Sequence, residues 1–210
     1  MAQFRPGREV MVVGVGLHPF GRFPEKSLSD LARDAVVEAL KDSGVPWQAI
    51  PVAYFGHVYY QGMSVGETTL AQLGLTGVPI INVENACSSG STAFWQAYWG
   101  ITSGVFDMAL AFGAEKVPGG PVSVTADDSP ARFIGGDHMM AGYALRMTRY
   151  MEDTGAPASA LAQVTVKARQ NAALNPYAHR KETYSVEEVL NSRMIADPLT
   201  LYKIAAAAKA

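Results

Sequence analysis

The residue in this chain best suited to covalent chemistry is Cys87, its only cysteine. It stands between an apolar, β-branched run, Val78 to Val83, and a helix-like stretch, Thr92 to Trp99. The pattern predicts a buried strand followed by a thiol at the first turn of a helix. A sulfur placed there faces backbone N–H groups with no intrahelical partner and the positive end of the helix dipole, which together favour the anion. Ser88, Ser89, Gly90 and Ser91 are small enough to let an extended substrate arm come close. A lone cysteine is ordinarily a buried structural residue. The strand–helix joint and the small residues after it argue here for a nucleophile.

Such a nucleophile needs a folded frame, and the composition supplies one. With 210 residues, 49 % of them hydrophobic and 17 % charged, the chain is long and apolar enough for a sizeable core. A net charge of −2 without a basic run argues against nucleic acid as a partner. The single cysteine rules out an internal disulfide and fits a reducing compartment. Met1 to Arg8 has no secretory-signal pattern, and no stretch approaches the roughly 18 unbroken apolar residues of a membrane span. The expectation is a cytoplasmic chain.

Val10 to Gly16 reads as a buried strand. The Gly14-x-Gly16 pair resembles the start of a dinucleotide-binding turn, but the third glycine position is Pro19 and no helix follows, so no bound cofactor is expected. His18 reads as a loop histidine. Ser27 and Asp30 form a capping-box pattern that opens a helix with Leu28, Leu31, Ala32, Ala35, Val36, Ala39 and Leu40 on one face and Gly44 as its stop. Pro46 to Ile50 is a turn anchored by Trp47. Val52 to Gly56 reads as a strand, His57 to Gly62 as an aromatic loop, and Ser64 with Glu67 as a second capping box for a helix to Leu73. Asp107 to Gly113 is the last strand. The order β-α-β-α-β-α-β predicts an α/β fold, a mostly parallel sheet with helices on both faces. Sites in such sheets lie beyond the carboxyl ends of the strands, where Cys87 falls.

The composition changes after Lys116. Residues 1–116 form the expected α/β half-core and 117–165 an inserted lid that begins with a Pro-Gly linker and contains a helix from Ala141 to Met151. Residues 166–202 complete the return, with a helix from Ala158 to Ala173 running into it, a short helix capped by Ser185, and an extended exit at Ile195 to Leu199. Residues 203–210 form an alanine-rich tail.

Several pieces together carry a resemblance. They are Val12 to Gly16, Glu84-Asn85-Ala86-Cys87-Ser88-Ser89-Gly90-Ser91, Ala111 to Lys116, Asn175 to Lys181 and Ser192 to Leu199. With them the chain resembles the N-terminal half of the thiolase superfamily, and within it the sterol-carrier-protein-type (lipid-transfer) thiolases. The resemblance implies an acyltransferase in which Cys87 attacks a 3-oxoacyl-CoA and holds the acyl group as a thioester, with coenzyme A as substrate and no bound cofactor or metal. Thiolysis and the reverse condensation are both open. It also implies that Asp137-His138-Met139-Met140 corresponds to a lid segment in which His138 and Met139 line the pantetheine and acyl pocket.

The departures from the family pattern are as informative. The resemblance implies a second half carrying an asparagine, a Gly-His-Pro histidine and an acid/base cysteine. None of these occurs in this sequence, and Gly56-His57-Val58 is not the histidine motif. Loss of a placed general base removes about 10²–10⁴ in rate. The expected partners are therefore acyl-CoA or CoA, a second copy in a homodimer, or a thiolase-like or acyl-CoA-binding chain that completes a hetero-oligomer. A non-catalytic subunit kept for assembly is the rival reading. A weaker third is a related acyl transferase or decarboxylating synthase.

Overall fold

Ser27 starts the first helix as its spacing to Asp30 predicts. In the computed structural model, which describes residues 7–59, 62–117, 130–133 and 136–204, the Ser27 hydroxyl accepts the Asp30 N–H at 3.1 Å and the Asp30 carboxylate accepts the Ser27 N–H at 3.0 Å. Helix α1 (Leu28–Ser43) buries Leu28, Ala32 and Val36 and ends at Gly44, whose φ of 68° glycine adopts without strain. A 3-10 turn at Trp47–Ala49 follows, its indole donating to the Gly74 carbonyl at 2.9 Å.

The chain divides into two compact units. The first comprises Met1–His18 with Phe23–Val117, and the second Pro19–Arg22 with Pro118–Ala210.

The first unit is built on three parallel strands, β1 (Ala53–Gly56), β2 (Ile80–Val83) and β3 (Leu110–Gly113), in the order β2-β1-β3. Parallel neighbours require long crossovers, and these are helices α2 (Val65–Ala71) and α3 (Ser89–Thr102). Strand β1 lies at the centre and is buried along its length. Its alternation divides the core. Ala53 and Phe55 pack toward Val36, Leu70, Leu28 and Ala32 of α1 and α2, whereas Val52 and Tyr54 pack against Ala93 and Ala97 of α3. The sheet thus has helices on both faces. Burying a side chain such as Phe55, fully enclosed here, stabilises the fold by about 1.5–3 kcal/mol.

Three expectations change on contact with the structure. Val10 to Gly16 is not a buried strand: among the described residues it forms no ladder with β3, and Met11, Val12, Val13 and Val15 are each more than half exposed. The physical reason lies in its glycines. At Gly14 and Gly16 the backbone presses onto α1 so closely that a Cβ would overlap Ala39 and Ala35 backbone atoms. The Val15 N–H goes to the Asp42 carboxylate at 2.9 Å instead of to a strand. Helix α2 forms, but without a capping box. Ser64 sits at φ 54° and makes no side-chain cap bond, while Asn82 on β2 accepts the Gly66 N–H at 2.9 Å and donates to Glu67 at 2.7 Å. Finally, β2 is the edge strand, so Ile81 and Asn82 are exposed and only Val83 is buried.

The second unit contains α4 (Pro130–Phe133), α5 (Met139–Thr154), α6 (Ala158–Leu174), α7 (Val186–Leu190) and the antiparallel pair β4 (Met194–Ala196) and β5 (Leu199–Thr200). Ser185 caps α7 through a reciprocal bond pair with Glu188, at 2.7 and 3.1 Å. The Thr200 hydroxyl donates to the Val189 carbonyl at 2.7 Å and ties the pair to α7. The linker at 118–121 and the tail at 205–210 lie outside the described residues.

Candidate active site

Cys87 stands at the crest of a tight turn between β2 and α3, and it is exposed. Helix α3 begins at Ser89, so the thiol lies two residues ahead of the first helical residue and not within the first turn, as the sequence pattern predicts. The reason is Ala86. Its φ of 46° is in the left-handed region, and this kink reverses the chain before the helix starts. Such a conformation costs about 1–2 kcal/mol for a residue with a Cβ and persists only when its surroundings hold it.

The surroundings do so from several sides. Ser89, 3 % exposed, accepts the Asn85 N–H at 2.8 Å through its hydroxyl and donates to the Ala86 carbonyl at 2.8 Å. The Glu84 carboxylate accepts the Ala86 N–H at 2.6 Å, and the Asn85 side chain donates to Thr92 at 2.9 Å. The Ser88 and Ser89 amides donate to the Asn85 and Ala86 carbonyls. Ser88, the N-cap of α3, makes no side-chain cap bond.

Two glycines let this helix start reach the strand ends. A Cβ on Gly56 would lie 2.7 Å from the Ser89 carbonyl group, and one on Gly113 would lie 2.8 Å from the Gly56 oxygen. The first turn of α3 therefore rests on the carboxyl end of β1, where parallel α/β sheets carry their sites.

A second loop is held beside the turn. Glu115 accepts the N–H groups of Val58 and Tyr59 at 2.7 and 2.6 Å. The Tyr59 phenol is pushed above its usual range, first by burial and then by the neighbouring Cys87 and Glu115, so it stays protonated as a donor. His57 takes another direction. Its ring stacks on Phe55 with centroids 5.4 Å apart, and its buried Nδ1 has no partner among the described residues. Phe55 packs toward α1 and α2, so His57 is turned to the face opposite α3.

In the second unit, His138 is the exposed N-cap of α5 and makes no side-chain cap bond, and Met139, half-buried, is the first helical residue. The local pattern singles out Cys87, and the family resemblance adds His138 and Met139. The pattern gives no role to Tyr59, Glu115 or Gly56, whose partners lie far along the chain, and reads Ser89 only as a small residue.

The family profile described as thiolase, N-terminal domain, matches residues 10–209. The chain belongs to the thiolase N-terminal domain family. This thiolase-type chain is 42 % identical over 200 residues to the benzoylsuccinyl-CoA thiolase subunit BbsB of Thauera aromatica, a match covering 92 % of this chain and 51 % of that protein. It is 35 % identical to sterol carrier protein 2 of Bos taurus, across 91 % of this chain and 38 % of that one. Among solved structures, the Ltp2-ChsH2(DUF35) aldolase superposes with a TM-score of 0.73 at 25 % identity, covering 90 % of this chain and 50 % of its own. The chain thus spans about half the length, or less, of the curated relatives it matches. Among the described residues, no helix is long and apolar enough to cross a membrane.

Proposed function

We propose that this chain carries the nucleophile of a thiolase-type acyl transfer and works when a second thiolase half or a partner chain completes it. The observation that carries the reading is Cys87 itself, exposed on a turn whose strained Ala86 is held by Ser89, Glu84 and Asn85. Strain maintained by this many bonds is characteristic of a working site. The benzoylsuccinyl-CoA thiolase relative supports an acyl-CoA as substrate, and so does the family match.

In the thiolysis direction, the Cys87 sulfur attacks the 3-oxo carbon of a 3-oxoacyl-CoA. The bond between carbons 2 and 3 breaks, its electron pair remains on carbon 2, and protonation there releases the CoA ester of carbons 1 and 2. The acyl group stays on Cys87 as a thioester until the thiol of coenzyme A attacks its carbonyl and frees the sulfur. Splitting one hard step into two is the advantage of a covalent intermediate. The Tyr59 hydroxyl, held in its loop by Glu115, is a donor in the neighbourhood of the sulfur. The proton transfers need an acid/base group, and the completing half or chain supplies it. His138 and Met139 would bind the pantetheine and acyl portion, in a cytoplasmic setting that keeps the lone thiol reduced.

A rival reading makes the chain a non-catalytic subunit. Large apolar side chains on and just after α3 favour it: Phe94, Trp95, Trp99 and Val105 are all exposed. Such a patch usually marks an interaction site. The two readings separate in one experiment, purification of the complex followed by thiolysis assays of the parent and of Cys87→Ala. Loss of activity in the variant supports the catalytic reading, and unchanged activity supports the subunit reading.

A further inference from the structure

The second unit contains a pocket of about 470 Å3, lined by residues of α6, of the segment from Asn175 to Arg180 and of the 3-10 turn Leu201–Lys203. Its apolar lining includes Phe20, Val164, Ala168 and Ile204, with Phe20 held by a 2.9 Å bond from its N–H to the Tyr177 carbonyl. Its charged lining includes Arg169, Arg180 and Lys203.

Neither arginine makes a side-chain hydrogen bond to a described residue. Arg169 is only 15 % exposed, lies 5.4 Å over the Tyr184 ring, and pairs with the Glu182 carboxylate at 3.7 Å, an ion pair too long for a hydrogen bond. Tyr184 is itself stacked on Tyr202, a pocket residue, at 4.2 Å. The Nε of Arg180 is sealed from solvent without an acceptor, and Arg180 forms no ion pair with any described residue. Lys203 is better satisfied, donating to the Pro198 carbonyl at 2.9 Å with Asp197 near it. An arginine cannot shed its proton and offers five N–H donors. Leaving a donor such as the Arg180 Nε buried and unpaired is costly, and with a second guanidinium in the same pocket that makes no side-chain hydrogen bond, the lining calls for an anion.

We propose that this pocket binds an organic phosphate monoester, its phosphate held by Arg169 and Arg180 and its organic part against Val164, Ala168 and Ile204. A carboxylate has two oxygens and satisfies one guanidinium fork, whereas the three terminal oxygens of a monoester reach both. The apolar lining separates an ester from free phosphate. This site uses residues of the second unit alone and does not depend on the chemistry at Cys87.

The test is calorimetric titration of the full chain with phenyl phosphate, inorganic phosphate and benzoate, together with thermal melts. Phenyl phosphate should bind most tightly. Arg169→Gln and Arg180→Gln should each weaken it by about tenfold or more, and Arg149→Gln, on the exposed side of α5, should leave it unchanged. Without ligand, Arg180→Gln should melt no lower than the parent, because the deleted group has no partner to lose. Equal affinity for phenyl phosphate in all variants, or equal affinity for inorganic phosphate and the ester, overturns the proposal. An Arg180→Gln protein that melts well below the parent, or fails to fold, also overturns it by assigning the arginine a structural role. Arg180→Lys, which keeps the charge but not the fork, should bind more weakly than the parent.

Discussion

The Ser89 hydroxyl donates to the Ala86 carbonyl at 2.8 Å, bridging the turn on which Cys87 is displayed. The same oxygen accepts the Asn85 N–H at 2.8 Å, so one buried side chain closes both sides of the kink. Removing it takes the only acceptor from the part-buried Asn85 amide and leaves the Ala86 carbonyl with the Ser89 N–H alone. Ser89→Ala should lower unfolding free energy by about 1–3 kcal/mol in urea titrations. It should slow acylation of Cys87 by more than it lowers stability at working temperature, because the turn loses its shape first.

Ala86 offers a complementary test of strain. Ala86→Gly should change stability by no more than about 1 kcal/mol, since relief of the left-handed strain and the greater freedom of the unfolded chain oppose each other. Ala86→Val puts a branched side chain at a φ of 46° and should cost about 2 kcal/mol or more. Denaturant midpoints of the two variants should differ in that order.

Gly56 and Gly90 lie on either side of the contact between β1 and α3 and should respond oppositely to alanine. A Cβ at Gly56 meets the Ser89 backbone at 2.7 Å, whereas one at Gly90 meets nothing within 4 Å. Gly56→Ala should destabilise by about 1–3 kcal/mol. Gly90→Ala should be neutral or stabilising by up to about 1 kcal/mol through helix propensity. Equal effects at the two sites would mean the helix start does not rest on the strand end.

The caps of α1 and α7 give the acid limb of stability a predicted direction. Glu188 is held below the ordinary carboxylate range by hydrogen bonds from the Ser185 N–H and hydroxyl, and Asp30 likewise by Ser27. Asp34 is lowered by its bonds to Lys26 and Arg33. A folded-state value below the unfolded one means the folded chain binds fewer protons. Its contribution is therefore complete above the unfolded value and is lost as pH falls through the folded one. Melting temperature should drop on acidification through and below the ordinary carboxylate range, and Ser185→Ala should flatten that drop. A steeper drop in the variant would contradict the assignment.

What the sequence made legible was whatever depends on near neighbours in the chain. The Ser27 and Ser185 caps, the Gly44 stop and the anchoring Trp47 are set by residues a few positions apart, and each appears where expected. Strands β1 and β3 follow from their apolar runs. Val10 to Gly16 has the same composition but no ladder, because glycine spacing also suits a close backbone approach to a helix, and periodicity cannot separate the two. Ser64 failed as a cap because a tertiary partner, Asn82, took the Gly66 N–H. Local pattern alone singles out Cys87 as a candidate but puts it in the first turn of α3, whereas the helix begins two residues after it. The Ser89 bonds are local but depend on the left-handed Ala86, and the Glu115 brace beside the turn spans more than fifty residues, which no local pattern encodes.

The most direct test of the account is to trap the acyl group. The chain, alone and with its completing partner, is incubated with an acyl-CoA, quenched in acid, digested and mapped by mass spectrometry. The account predicts an acyl thioester on the peptide containing Cys87, cleaved by hydroxylamine and missing from Cys87→Ala. No adduct at Cys87 in either preparation, under conditions that acylate a full-length thiolase, would contradict it.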